Sequence, residues 1–548
     1  MAKNQQYHYP HGDPCAQCSF PASYHYVKHY PQGDPCTFRT LIVGAGIKGD
    51  GVCGLPAEKH PVKKHQRRDP KPYKRYYVGI DGEGQGRPHR YVMLAWSSED
   101  GTKRDVLRPP PGKNALSTFD CLTFLCNIPR DAMIFSYAFN YDLTMMLRDI
   151  SHQEPGLIYM LNRPDLRKKN PEQHNPTPVY WRGFKLNLIG TKFTVSRRTA
   201  PDPNNPTAKR KWRSTVIWDV FKFYQQKFTS AVTLWCSREV NKHTVGAVRD
   251  PDTNRYTHPD AEYDLDTQKF RVWDEPGMGA KVGHMAKMKA QRHLFDRLPD
   301  DQILAYCYEE CEFMARLVRK LVSAHADAGY TLTEFFGAGS TARLLLKSLG
   351  IPEALKSWRE KGAARGWGND MAPPEMAQPI AAAFFGGRFE NSVIGSVDGP
   401  IYGNDISSAY PYQLTFLPCL DPDHGEWVLT SDRRVMAAAR GALVHYGFSD
   451  IVPQNLPWGP FPFRNELGEI CYPAVSGGGW VWQDEFIQGE KVFPHVTFRE
   501  AWVWQSHCEC KPFERLPEIY LQRLKLGKEG AGIIYKLGPN AAGCAPCV

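Results

Sequence analysis

Tyr73 divides this chain into two stretches that cannot be ordered by the same means. Before it, some seventy residues rich in His, Cys, Pro, Gly and Lys show neither helical nor strand periodicity, so something other than an apolar core must order them. After it, YKRYYVGIDGEG reads as a strand ending in acidic residues, and MIFSYAFNYDLTMMLRDI as a strand entering a helix. Strand and helix signals then alternate through a hairpin (FKLNLIGTKFTVSRR), a Pro/Asn-rich loop (APDPNNPTAKRK) and the apolar strand STVIWDVF, the pattern of an α/β domain. A helix rich in aliphatics, LPDDQILAYCYEECEFMARLVRKLVSAH, closes this domain near residue 325, with Asp300 or Asp301 the expected N-cap. TARLLLKSLGIPEALKSW reads as helical again. FFGGRFENSVIG then opens a second α/β region that runs to the end, with a boundary near the Gly/Pro-rich GWGNDMAPPEM.

A chain of 548 residues exceeds what one core can serve, so three or four domains are expected. The 42% hydrophobic and 23% charged residues are those of a globular protein rather than a disordered or fibrous one. No apolar run approaches the roughly eighteen residues of a membrane span, and MAKNQQYHYPHGD has no signal-peptide core. A cytoplasmic or nuclear, non-secreted protein without a membrane partner is the expectation. Net charge is +10, of which residues 1 to 75, with 12 Lys/Arg against 5 Asp/Glu, hold +7. Such a basic arm suits a polyanion, because each neutralised phosphate releases counterions.

Fifteen cysteines without a secretion signal point to thiols or metal ligands rather than disulfides. At the front, Cys18-SFPASY-His25 is echoed by Cys53-GLPAEK-His60. Zinc takes four tetrahedral Cys/His ligands, which gives one set of Cys15, Cys18, His25 and His29 and a second of Cys36, Cys53, His60 and His65. Structural zinc contributes roughly 10 to 16 kcal/mol in small domains, enough to replace the missing core. Cys508, Cys510, Cys544 and Cys547 offer a further set near the end.

Phosphodiester hydrolysis by two metals needs carboxylates from separate elements converging on ions roughly 3.5 to 4 Å apart. Asp81 and Glu83 in VGIDGEG can supply two of them, since alternate strand residues face one side. Asp142 follows where SYAFNYDLTMML passes from strand to helix, and Glu310 lies four residues after Tyr306, so that acid and phenol share a helical face. In this order the residues resemble the three exonuclease motifs of family B DNA polymerases, over roughly residues 76 to 322. The resemblance implies that Asp81, Glu83, Asp142 and Glu310 bind Mg²⁺ or Mn²⁺, that Tyr306 orients the attacking water and that Asn140 contacts DNA. The family usually has Asp where this chain has Glu310. Glu is longer by one bond of about 1.5 Å, and a misplacement of about 1 Å can cost a hundredfold in rate.

GNDISSAYPYQL resembles motif A of the same family, with FFGGRFEN upstream similar to its Y-x-G-G segment. By this likeness Asp405 binds both catalytic metals, Tyr410 lies under the sugar of the incoming nucleotide, and Gly386 and Gly387 let backbone approach template phosphates. YLQRLKLGKEGAGIIYKLGPNAAG resembles the fingers helix of motif B, so Lys536, Asn540 and the earlier Arg523 are implied to bind the nucleotide triphosphate. The likeness decays at Ala541, Ala542 and Gly543, where the family continues with Ser, one residue, Tyr and Gly. The family's D-x-D acid pair, expected downstream, is missing before residue 548. A truncated, frame-disrupted or naturally split polymerase is therefore expected, in which Asp421 or Asp423 would be the first acids to examine for a completing role.

The implied whole is a zinc-binding basic arm (1–72), an RNase-H-like α/β 3′→5′ exonuclease domain (73–325), a helical connector (326–378) and a partial α+β palm and fingers (379–548). Implied partners are primer-template and single-stranded DNA, dNTPs, and a second polypeptide supplying motif C and thumb, or a terminal protein as in the small, virus-like or plasmid-like, protein-primed branch. Two rivals stand beside it. One is a catalytically silent, polymerase-derived DNA-binding accessory protein, and the other a stand-alone exonuclease whose palm clamps DNA.

Overall fold

The computed structural model describes residues 39–40, 51–52, 75–169, 175–199, 210–241, 246, 248–249, 251, 256–257, 261–264, 269–367, 371–385, 395–396, 398–400, 409–448, 459–465, 468–472, 476–493, 495–527 and 530–542. Contacts divide the chain into two units, Met1–Arg75 and Tyr76–Val548. In the first, Arg39–Thr40 pairs antiparallel with Gly51–Val52. All eight expected zinc ligands of the arm lie outside the described residues.

The second unit is built on an eight-stranded sheet. Its strands are β1 (Tyr76–Gln85), β2 (Arg90–Ser98), β3 (Arg104–Leu107), β4 (Ala132–Ser136), β5 (Val179–Trp181), β6 (Phe184–Ile189), β7 (Lys192–Arg198) and β8 (Trp212–Asp219), in the order β3-β2-β1-β4-β8-β7-β6-β5. Strand β4 runs parallel to both neighbours, with Ile134 opposite Val78 on β1 and Ile217 on β8. The other neighbours are antiparallel. Between β6 and β7 only Gly190 and Thr191 intervene, and Gly190 supplies the positive φ (+56°) that a two-residue hairpin requires.

Alternation along the strands sends successive side chains into two cores. Val78, Ile80, Ile134 and Ile217 pack with Leu122 and Leu125 of helix α1 (Thr118–Asn127). Met93, Ala95, Phe135 and Trp218 share the other core with the apolar face of a long helix introduced below. Helix α2 (Asn140–Met146) follows β4, and α3 (Met278–Ala290) precedes that long helix, α4 (Asp300–Asp327). Asp300 and Asp301 occupy the first turn of α4 and Pro299 holds the N-cap position, so neither acid caps. Their charges instead face the positive end of the helix dipole. At Gly79 a side chain would meet the carbonyl oxygen of Cys311 at 2.1 Å, so α4 rests directly on the backbone of β1 there.

Beyond α4, the apolar run at 338–364 is split at Gly350 (φ +73°) into α5 (Ala338–Ser348) and α6 (Ile351–Ala364). A second sheet follows, of strands β9 (Gly425–Thr430), β10 (Ala442–Phe448), β11 (Gly477–Trp482) and β12 (Thr497–Ser506) in the order β9-β12-β10-β11. Every neighbouring pair in it is antiparallel, which makes this region α+β, although FFGGRFENSVIG by itself reads as the start of an α/β alternation. The last helices are α7 (Leu516–Leu526) and α8 (Ala531–Ala542). Helix α8 packs back on the first region: Ile534 is buried in the core beneath α4, and Tyr535 Oη donates to the carbonyl of Ala328 at 3.1 Å. No helix among the described residues is long and apolar enough to cross a membrane.

Candidate active site

Strand period brings the first two acids together. Asp81 and Glu83 stand two residues apart on β1, opposite Ala95 and Met93 of β2, and α4 lies over the same face. One turn of α4 separates Tyr306 from Glu310, and both are buried. One carboxylate oxygen from each of Asp81, Glu83 and Glu310 falls within 4.8 Å of the others. The extra bond of Glu310 therefore does not carry its carboxylate out of the cluster. Asp81 Oδ2 is buried with no donor in reach, so only a proton shared with Glu310 or a cation can satisfy it.

Asp142 enters the same cleft from the first turn of α2 and is outside this group of three. It is buried, and its Oδ1 accepts from Tyr91 Oη at 2.9 Å. Gly82 makes this possible, because a Cβ there would sit 1.8 Å from the Tyr91 oxygen. The turn leading into α2 is held from a third element. Asp219, at the end of β8, accepts from the backbone N–H groups of Ala138 at 2.9 Å, Phe139 at 3.0 Å and Phe221 at 2.9 Å. Ala138 is left-handed there, with φ +57°.

Two cations that the sequence reading passed over contact the acids in the cleft, which has a volume of about 840 Å³ and is lined by Asp81, Asp142, Glu310, Tyr141, Lys289 and Arg292 among others. Lys289, at the end of α3, pairs with Glu310. Arg292, in the turn after it, reaches Glu83 Oε1 at 3.2 Å, Glu310 Oε2 at 3.3 Å and donates to Tyr306 Oη at 3.0 Å. Nothing in the basic run KMKAQRH distinguishes these two from solvated surface charge, so contact alone reveals them.

Burial and mutual repulsion set the charge state of the cluster. Burial, followed by the neighbouring Glu310 and Asp142 charges, holds Asp81 well above the usual carboxylate range. Burial likewise pushes Glu83 up to about 8 against the pull of Arg292, and Asp142 up to about 7 against the Tyr91 hydrogen bond. Burial works on Glu310 in the same direction, but Lys289, the hydrogen bond with Asp81 and Arg292 together hold it below its ordinary value. Near neutral pH Asp81, Glu83 and, in part, Asp142 thus retain protons that a divalent cation would displace, while Glu310 carries its charge. Buried, proton-retaining carboxylates with an unpartnered oxygen are a hard-oxygen donor set, which fits Mg²⁺ or Mn²⁺ rather than a soft metal.

The other expected residues are dispersed. Asn140 begins α2 and is exposed, while its neighbour Tyr141 lines the cleft. Gly386, Gly387 and Asp405 lie outside the described residues. Tyr410 falls in a short helix, Ala409–Leu414; Arg523 is on α7, its guanidinium 5.7 Å from the ring of Tyr520; Lys536 and Asn540 are on α8, with Lys536 exposed. Asp421 and Asp423 each pair with Lys361 at 2.8 Å, and Asp421 also accepts from the Asp423 N–H at 3.0 Å, so both are engaged in fixing a turn. Cys544 and Cys547 are outside the described residues, whereas Cys508 lies beside Cys419 and His424.

No protein-family model and no curated protein matches this sequence. The chain is similar in fold to solved structures of Phi29 DNA polymerase. Its orthorhombic crystal form aligns over 85% of this chain and 67% of that chain, with a TM-score of 0.45 and 11% identity. The same polymerase complexed with single-stranded DNA aligns over 85% and 67%, with 0.42 and 12%. The ternary complex with primer-template DNA and incoming nucleotide gives 86%, 67%, 0.42 and 10%.

Proposed function

We propose that this chain is a metal-dependent 3′→5′ exonuclease acting on DNA, joined to the palm and fingers of a family B DNA-directed DNA polymerase. The observation that carries the proposal is the convergence of Asp81, Glu83 and Glu310 within 4.8 Å, with Asp142 in the same cleft. These four would hold Mg²⁺ or Mn²⁺, which when bound supplies water activation and stabilises charge on the leaving 3′-oxygen. Tyr306 accepts from Arg292, which leaves its own phenolic proton free to orient a water. Lys289 and Arg292, with Lys227 also in the lining, give an entering phosphodiester cations beside the acids, and Arg can engage it through two parallel N–H groups. Tyr141, 43% exposed at the cleft, can stack on a base of an entering strand. On this reading Asp405, Tyr410, Arg523, Lys536 and Asn540 serve nucleotide addition on primer-template DNA in the C-terminal region.

A second reading has one observation in its favour. Lys289 and Arg292 pair with the carboxylates a metal would need, as they would in a silent, DNA-binding descendant. Calorimetric titration of the purified chain with Mn²⁺ separates the two: the exonuclease reading expects saturable binding that Asp81→Ala and Glu83→Ala weaken, and the silent reading expects none.

A further inference from the structure

A second cluster of metal-ligating side chains, separate from the acidic cleft, lies at one end of the antiparallel sheet. Strands β9 and β12 pair with Gly425 opposite Ser506, so residues just before β9 and just after β12 meet although they are far apart in sequence. The junction is closed by the His507 N–H donating to the carbonyl of His424 at 2.7 Å. Three ligand atoms, from Cys419, His424 and Cys508, come within 4.8 Å of one another there. Cys419 Sγ and His424 Nδ1 are 3.4 Å apart, and the Cys508 thiol has those of Cys419 and Cys510 in hydrogen-bonding reach. A tetrahedral zinc ion with bonds of about 2.0 to 2.3 Å spaces its ligand atoms roughly 3.3 to 3.8 Å apart. The spacing between Cys419 and His424 already has that value.

The surroundings hold these groups in place. Ser506 Oγ donates to the Cys508 carbonyl at 2.9 Å and accepts its N–H at 3.2 Å, which fixes the turn after β12. Arg440 donates to the same carbonyl at 2.9 Å and pairs with Glu509, between the two cysteines of the turn. On the other side, Asp421 caps the turn that carries His424 and is itself held by Lys361 of α6. Cys419 is buried against Trp358 and Met371, so one side of the cluster is sealed from water. All three cysteines are free thiols. Sulfur and imidazole donors select a soft, tetrahedral ion over Mg²⁺.

We propose that Cys419, His424, Cys508 and Cys510 form a structural zinc site that ties the segment before β9 to the segment after β12. This assignment is independent of the exonuclease reading. The test is zinc content and thiol reactivity of the full 548-residue chain. Because the N-terminal arm is also expected to hold zinc, the quantity that counts is a difference. Cys419→Ser, His424→Ala and Cys508→Ser should each lower the content by one ion per chain, and the double variant Cys419→Ser/Cys508→Ser should lower it by that same single ion. Unchanged content in the variants overturns the proposal. Should a variant fail to fold, the unsubstituted chain decides: Cys508 and Cys510 should resist alkylation until a chelator is added. Equal labelling before and after chelation, or a Cys508–Cys510 disulfide in the purified protein, overturns it.

Discussion

Asp219→Ala tests how the fold sets the position of Asp142. The Asp219 carboxylate is the acceptor for three backbone N–H groups on two segments, and one of them belongs to Ala138, held left-handed at φ +57°. That conformation costs a non-glycine residue about 1 to 2 kcal/mol, and a hydrogen bond to a charged group contributes about 1.5 to 3 kcal/mol. The Ala138 and Phe221 bonds are exposed and water can replace much of them, whereas the Phe139 bond is partly buried. Counting that bond in full and the others in small part gives a loss of about 2 to 4 kcal/mol. The freed turn then relaxes, and Asp142, in the first turn of α2, moves with it. A displacement of about 1 Å at a catalytic group costs on the order of a hundredfold in rate. Urea unfolding followed by tryptophan fluorescence should show the stability loss, and degradation of single-stranded DNA should fall by about that factor. Adding Ala138→Gly, which makes the left-handed turn unstrained, should restore about 1 kcal/mol. An Asp219→Ala chain with wild-type stability and wild-type nuclease rate would refute this account of the turn.

Three further outcomes are expected. Folded-state values of about 8 for Glu83 and about 7 for Asp142 exceed the unfolded carboxylate value of roughly 4, so protonation stabilises the fold. That contribution is complete below the unfolded value and is lost as pH rises through about 7 to 8; the thermal shift produced by Mn²⁺ should accordingly be larger at about pH 8.5 than at about pH 6, and an equal shift at both contradicts the charge assignment. Gly79→Ala forces β1 and α4 apart, because the new methyl meets Cys311 O at 2.1 Å and Met314 Cβ at 2.7 Å; a loss of about 1 to 3 kcal/mol in urea unfolding and weaker Mn²⁺ binding should follow together. Asp405→Ala should abolish any primer extension while leaving single-strand degradation intact, and a loss of both in a folded chain would mean the two activities share one site.

Much of the first region was legible because its elements are long and periodic. Strand β1 lies where YYVGIDGEG alternates, and the spacing of Tyr306 and Glu310 on α4 follows from a 3.6-residue period that needs no partner to be seen. The hairpin of β6 and β7 was equally plain, since its residues alternate on both sides of a glycine. What remained hidden depends on contacts between distant segments. Tyr91 reaches Asp142 only because Gly82 leaves room, and Asp219 reads simply as part of an apolar strand until its carboxylate is seen under the Ala138 turn. Lys289 and Arg292 carry no local signature at all. In the C-terminal region, the cysteine of the C-x-C segment gained a neighbour, Cys419, from a loop that only the antiparallel pairing of β9 and β12 brings near. The direction of that pairing is not encoded by periodicity, so the local pattern alone reads as α/β there and α+β follows only from the family likeness.

The central claim is that buried acids from β1, α2 and α4 form one metal-dependent nuclease centre. Incubation of a 5′-labelled single-stranded oligonucleotide with the purified chain and Mg²⁺ or Mn²⁺ tests it most directly. A ladder shortening from the 3′ end is expected, absent with a chelator and absent in folded Asp81→Ala and Asp142→Ala chains. Degradation that persists in both variants, or that begins from the 5′ end, would contradict the assignment.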